Sequence, residues 1–157
     1  MMTTSDESTY AYVSFIRTTP EKLWAALTDP SQMKEYWFGM HFETEWKTGA
    51  QWRMLFPDGE VADAGEILEV DRPRKIRLKW RNEFRPELKA EGFALCTIDI
   101  EPYGDAVRLS IMHSIERANS AFIQAVSGGW PKVLSNLKSY LETGQVVLTQ
   151  ADHAHAN

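Results

Sequence analysis

The sequence predicts an α+β domain in which a curved antiparallel sheet of about six to seven strands wraps around a long C-terminal helix. Between residues 42 and 114, apolar and polar residues alternate in segments that turn signals such as Pro57-Asp58-Gly59 separate. This pattern is typical of antiparallel strands with one covered face. An apolar stripe then steps by three and four residues from Phe122 to Leu141, which indicates one long helix. Packing the apolar face of the sheet against that stripe buries both.

The elements before the main run of strands have clear start and stop signals. Residues 10–17 are rich in β-forming side chains and predict the first strand. Thr19-Pro20-Glu21 predicts a helix start, because threonine suits the N-cap, proline the first helical position and glutamate the positive end of the helix dipole. Asp29-Pro30 ends that helix, and residues 31–37 predict another one. Two short helices therefore follow the first strand.

The C-terminal helix carries an internal interruption, Gly128-Gly129-Trp130-Pro131. Glycine in a helix interior is unfavourable by about 1 kcal/mol relative to alanine. A proline there removes a donor and frees the carbonyl four residues earlier, here that of Ser127, at about 3 kcal/mol. Because the apolar stripe keeps its phase across the interruption, we expect one kinked helix rather than two. Thr143-Gly144 is a normal helix end.

Length and composition indicate one globular domain of 157 residues, with 25% charged and 43% hydrophobic residues. We expect it to span residues 10–144, with flexible tails at 1–9 and 145–157. The formal net charge of -5 gives no general attraction to nucleic acids or anionic membranes, so neither is an expected partner. The N-terminus lacks a signal-peptide pattern, and the single cysteine fits a reducing compartment, so a cytoplasmic location is expected.

Several motifs resemble those of a known family. They are residues 19–30, Tyr36-Trp37-Phe38-Gly39, residues 65–73, residues 109–113 and Gly129-Trp130-Pro131. On these motifs the chain resembles the SRPBCC or START-like superfamily, which has the birch-pollen-allergen fold. Within it, the chain resembles the bacterial single-domain proteins named after the activator of the ninety-kilodalton heat-shock-protein ATPase. The resemblance spans about residues 10–144 and implies a helix-grip fold. Because these motifs are mostly structural, it implies no reaction and transfers no client-binding residue.

The candidate ligand-binding residues are large side chains on the covered sheet face and on the helical stripe. They either fill the core or line a cavity for a small apolar or amphipathic molecule. We expect Trp130 to form one wall of that cavity, with His113 and the freed carbonyl of Ser127 as its polar point. The candidate set is Trp37, Trp52, Met54, Trp80, His113, Phe122, Val126 and Trp130.

Three classes of function stay open at this point. The first is non-enzymatic binding of a small apolar or amphipathic molecule. The second is a protein-interaction module, or self-association, through an exposed patch at Tyr36, Trp37 and Phe38. The third is an enzyme of the cyclase or hydrolase type with His113 as acid or base. No second catalytic group accompanies His113, so enzymatic activity is not expected. Asp63 and Glu66 should point to opposite faces of their strand.

No cofactor or metal is expected from the motifs. The chain has no GxxxxGK[ST], GxGxxG or GxSxG sequence. His41 and His113 stand alone, and His153 and His155 form a pair without the further ligands that a zinc site needs. Cys96 sits in an apolar run and is expected to be a packed, inert thiol.

Overall fold

The computed structural model describes residues 6–150, which form a seven-stranded antiparallel sheet and four helices. The spatial order of the strands is β1-β7-β6-β5-β4-β3-β2. The strands are β1 (Ser8–Ile16), β2 (His41–Glu43), β3 (Gln51–Leu55), β4 (Val61–Asp71), β5 (Lys75–Asn82), β6 (Ala94–Tyr103) and β7 (Ala106–Ile115). The helices are α1 (Pro20–Thr28), α2 (Pro30–Tyr36), α3 (Pro86–Lys89) and α4 (Ala121–Thr143). The predicted helix-grip fold is confirmed.

Helices α1 and α2 begin at the capping residues that their sequences favour. The Thr19 hydroxyl accepts a hydrogen bond from the Lys22 backbone N–H at 3.2 Å. Asp29 ends α1 and its carboxylate accepts from the Ser31 N–H at 2.9 Å, so the same residue caps α2. Each cap satisfies a backbone donor that the first helical turn leaves without a partner. Helix α4 continues through Pro131 as one element, as expected. Within the described residues, no helix is long and apolar enough to cross a membrane.

Two irregularities in strand register accompany the curvature of the sheet. One lies between Met54 and Leu55, where β3 pairs with β4. The other lies between Ile67 and Glu69, where β4 pairs with β5. An extra residue on one strand bends it and increases its twist. Strand β4 therefore curves with its inner face toward the helices, and this face carries the candidate site.

The segment between β5 and β6 contains a short helix. Pro86 lies in the first turn of α3, a position where proline needs no N–H partner. The Asn82 side-chain oxygen accepts a hydrogen bond from the Arg85 N–H at 2.8 Å, which fixes the turn into this helix. Leu88 is buried and anchors the helix on the core. The segment thereby becomes one wall of the candidate site.

The folded region extends beyond the expected boundaries of 10 and 144. Strand β1 begins at Ser8, inside the segment expected to be a flexible tail. At the other end, the buried Asn136 side-chain oxygen accepts from the N–H groups of Val147 at 3.0 Å and Leu148 at 2.7 Å. Its amide nitrogen donates to the Leu148 carbonyl at 2.8 Å. The expected tail is thus bound to α4 as far as Leu148, because one buried asparagine on the helix satisfies its backbone.

Candidate functional site

A cavity of about 330 Å³ lies between α4, the inner face of the sheet and the segment around α3. Cavities of about this size hold small organic molecules in other proteins. Strands β4 and β5 contribute the polar side chains Asp63 and Asn82, and Arg85 and Lys132 also border the space. The remainder of the lining is mostly apolar. Its aromatic side chains are Trp37, Phe38, Phe56, Trp80, Phe84, Phe122 and Trp130.

The structure brings most of the sequence-predicted ligand residues to this cavity. Five of the eight line it: Trp37, Trp80, Phe122, Val126 and Trp130. They form a continuous wall, because the Trp130 ring lies 5.3 Å from that of Trp37 and 5.9 Å from that of Trp80, between ring centroids.

The other three predicted residues, Trp52, Met54 and His113, are buried without lining the cavity. Trp52 shows that alternation along a strand identifies the inner face of the sheet. It does not separate the residues that line the cavity from those that fill the core. The Trp52 indole N–H donates to the Lys79 carbonyl at 2.9 Å, passing over Gly65 on the strand between them. Its ring contacts Trp80, with centroids 4.7 Å apart. Trp52 therefore supports the cavity wall from behind and has no access to a ligand.

His113 is fully buried beneath the aromatic wall. Its ring contacts Trp80, Phe122 and Trp130 at centroid distances of 5.3, 5.7 and 5.8 Å. Among the described residues neither ring nitrogen has a hydrogen-bond partner, so His113 is not bonded to the Ser127 carbonyl. Burial lowers the pKa of His113 to about 3, which keeps the ring neutral. His113 is therefore not the polar point of the cavity, because the rings that it contacts separate it from the space.

Asp63 supplies a polar group that is not among the predicted ligand-binding residues. It pairs with Met54 and Asn82 across the neighbouring strands and shares the inner face with Gly65. Burial raises the pKa of its carboxyl to about 7, against the effect of a hydrogen bond from the Trp80 side chain, and the charge of Glu83 adds to the rise. The sequence already indicated this position, because Asp63 lies two residues from Gly65 and therefore on the same face of the strand.

The segment expected as an exposed interaction patch is instead part of the core. Tyr36 is 0% exposed and its hydroxyl donates to the Ala26 carbonyl at 2.8 Å. Trp37 is 8% exposed, and its ring packs against Phe42. Phe38 is partly buried and borders the cavity. The prediction of an exposed patch at Tyr36, Trp37 and Phe38 is therefore wrong, because the end of α2 folds back over β2.

Other reactive groups in the described part of the chain are sequestered or dispersed. Residues 6–150 hold no group of three or more His, Cys, Asp or Glu side chains placed to bind a metal ion. The pair His153 and His155 lies outside the described residues. Cys96 is buried, and burial raises the pKa of its thiol. This placement agrees with a packed thiol, because the thiolate is the reactive form.

Comparison with known proteins assigns the family. The family model for Activator of Hsp90 ATPase homolog 1-like proteins matches residues 17–142. The chain belongs to this family. The match takes in both the tryptophan wall and Asp63, so the site lies within the family's domain. No curated protein matches the chain.

Several solved structures share the fold of this Activator of Hsp90 ATPase homolog 1-like chain. MLL2253 from Mesorhizobium loti has a TM-score of 0.74 at 21% identity, over 88% of this chain and 100% of that one. The Aha1 dimer from Colwellia psychrerythraea has a TM-score of 0.70 at 16% identity, over 87% and 98%. The HSP90 activator PFC0360w from Plasmodium falciparum has a TM-score of 0.69 at 19% identity, over 85% and 95%. At such identities the likeness shows the fold alone.

Proposed function

We propose that the protein binds a small apolar or amphipathic molecule in the cavity beside α4 and does not transform it. The observation that carries this proposal is the cavity itself, about 330 Å³ with mostly apolar walls and polar side chains contributed by two neighbouring strands. Apolar walls supply affinity, and a few placed polar groups supply orientation.

The glycine pair of α4 supports the same proposal. Gly128 and Gly129 both border the cavity, and a Cβ atom added at either position would meet no atom within 4 Å. Neither glycine has a φ that alanine would avoid, so packing and backbone strain do not require them. Each still makes the helix less stable than alanine would, by about 1 kcal/mol. Glycines that destabilise a helix without a packing reason are explained if they keep the cavity open to an entering molecule.

Binding in this cavity is tested by filling it from α4. Val126 is half-buried and lines the cavity, whereas Gln124 is exposed on the same helix and does not. We expect Val126→Phe to weaken binding at least tenfold, because the larger ring occupies the volume that the ligand needs. Gln124→Phe should leave binding unchanged. The measurement is native mass spectrometry, followed by titration calorimetry, against a panel of lipids, sterols and aromatic compounds. Equal affinities for both variants would refute binding at this site.

A second candidate function is protein interaction, and a different surface favours it. The outer face of β1, β6 and β7 exposes large apolar side chains, with the Phe15 ring 5.0 Å from that of Tyr103. The solved relatives include an Aha1 dimer and an HSP90 activator. Exposed apolar clusters of this kind often mark interfaces. The exposed side chains are Val13, Phe15, Tyr103 and Met112.

For this surface, the expected result is concentration-dependent self-association that Phe15→Ser abolishes. The serine removes the ring at the centre of the exposed cluster while leaving the buried face of β1 intact. Multi-angle light scattering of both proteins between micromolar and millimolar concentration measures it. Thr9→Ser, on the same exposed face of β1, is the matched control. A wild type that stays monomeric throughout argues against self-association through this face.

A further inference from the structure

We propose that the molecule held in the cavity is an organic cation, a basic amine with an apolar body, whose nitrogen pairs with the Asp63 carboxylate. The inference rests on the proposed function and names the class of ligand. Asp63 is the residue that brings a carboxyl group to the lining. Its strand is fixed between two neighbours, β3 and β5, so the position of the carboxyl is set before any ligand arrives.

The described residues around Asp63 offer its carboxyl few hydrogen-bond partners. The Trp80 side chain acts as a hydrogen-bond donor to the carboxyl. The Asn82 oxygen, on the paired position of β5, is already bonded to the Arg85 N–H at 2.8 Å. A carboxylate accepts more than one hydrogen bond, and an ionised one in an apolar site is unfavourable until a positive charge neutralises it. A protonated amine supplies both the charge and the missing donors.

The walls favour a cation as well. Three tryptophans, Trp37, Trp80 and Trp130, border the same space with neighbouring rings 5.3 and 5.9 Å apart. Indole faces attract cations through their ring quadrupole, and cages of aromatic side chains bind substituted ammonium groups in this way. An apolar body attached to the nitrogen would bury itself against Phe56, Phe84 and Phe122.

Two positively charged side chains also border the cavity, and they favour an anionic ligand instead. Arg85 is held toward Glu87 on α3, with its Nε 3.0 Å from the Glu87 Oε2. Lys132 lies on α4 beside the glycine pair. Glu83, whose charge acts on the Asp63 carboxyl, is bonded to Arg81 and lies within 3.3 Å of the Lys89 ammonium. An anionic ligand held by Arg85 and Lys132 is therefore the alternative that the experiment must separate.

Affinity for an amine should depend on pH, because only the ionised carboxyl attracts it. Burial raises the pKa of Asp63 to about 7. The charged groups that face it are Glu83 from the end of β5, Arg85 from the start of α3 and Lys132 from α4. A ligand amine stays protonated between pH 6 and 8. Binding should therefore strengthen as the pH rises from 6 to 8.

The test compares three probes with the same body: 4-phenylbutylamine, 4-phenylbutan-1-ol and 4-phenylbutyrate. Titration calorimetry at pH 8 gives their affinities for the wild type, Asp63→Asn and Glu66→Gln. Asp63→Asn keeps the size of the side chain and removes its charge. Glu66→Gln is the matched control, since Glu66 lies on the same strand but on its outer face. We expect the amine to bind the wild type and Glu66→Gln at least tenfold more tightly than the alcohol, and Asp63→Asn to lose this preference.

The outcomes separate the ligand class from the proposed function. The pairing with Asp63 is overturned if the alcohol and the amine bind equally, or if the carboxylate binds most tightly. Either result leaves small-molecule binding intact. An amine preference that survives in Asp63→Asn also overturns the pairing. If none of the three probes binds any of the proteins, both the ligand class and the binding function fail. Amine affinity that is the same at pH 6 and pH 8 contradicts the role of the Asp63 charge.

Discussion

Replacing Gly65 with alanine is expected to lower the free energy of unfolding by about 3 kcal/mol or more. A Cβ atom at this position would lie 1.7 Å from the Lys79 carbonyl oxygen and 2.9 Å from the Trp52 indole nitrogen. Neither group can move away without loss, because they are hydrogen-bonded to each other at 2.9 Å. Alanine therefore has to break that bond or separate β4 from β5. Since Trp52 and Trp80 pack together over this glycine, the cavity wall should loosen with it.

Urea unfolding of the wild type and Gly65→Ala at neutral pH measures the loss. Gly129→Ala is the matched control, because its Cβ would meet nothing within 4 Å. That substitution should stabilise the protein by about 1 kcal/mol, since alanine favours a helix interior. A loss below about 1 kcal/mol for Gly65→Ala would show that the two strands do not approach as closely at Gly65 as the structure has them.

The fold was predictable because its signals are local and agree with one another. The caps at Thr19 and Asp29 each use a side chain within three residues of the donor that it satisfies. The alternation along β5 and β7 marks the buried face directly. The short helix α3 was missed because its four residues are too few to show a helical period. The end of the domain was missed because Asn136 binds a segment eleven residues away.

The candidate site was only half predictable, because strand parity identifies a face and not a depth. Trp80 and Trp52 share the inner face, yet one borders the cavity and the other lies behind it. Asp63 was missed for a different reason: the alternation along β4 places it on the inner face, but its charge predicts an exposed position. Tyr36 and Trp37 were assigned to the surface because nothing within their own segment shows that β2 passes over them. Such contacts depend on how separate elements pack, and the periodicity of one segment carries no information about that packing.

His113 and Asp63 should change the stability of the protein with pH in opposite directions. The pKa of His113 is about 3 in the folded protein, against 6.5 in the unfolded chain. As the pH falls below 6.5, only the unfolded chain takes up this proton, so stability decreases until the pH reaches about 3. The pKa of Asp63 is about 7, against 3.8 when unfolded. As the pH falls below 7, only the folded protein binds that proton, so stability increases until about 3.8.

These two contributions nearly cancel in the wild type. When either group is removed, the contribution of the other should become visible. Between pH 7 and pH 4.5 each amounts to about 3 kcal/mol, with opposite signs. We therefore expect His113→Leu to gain about 3 kcal/mol of stability relative to the wild type on acidification. Asp63→Asn should lose about the same amount relative to the wild type. At pH 7 His113→Leu should already be as stable as the wild type, because neither ring nitrogen gives up a hydrogen bond with the described residues.

Urea unfolding of the three proteins at pH 7 and pH 4.5 gives these differences directly. Comparing each variant with the wild type at the same pH removes the contribution of the surface carboxylates, which all three proteins share. The double variant should return to a pH dependence close to that of the wild type, since it lacks both opposing groups. If His113→Leu keeps the same stability difference from the wild type at both pH values, His113 takes up protons equally in the folded and unfolded states. That result would mean that solvent or a ligand group reaches the imidazole, and it would return His113 to the lining of the cavity.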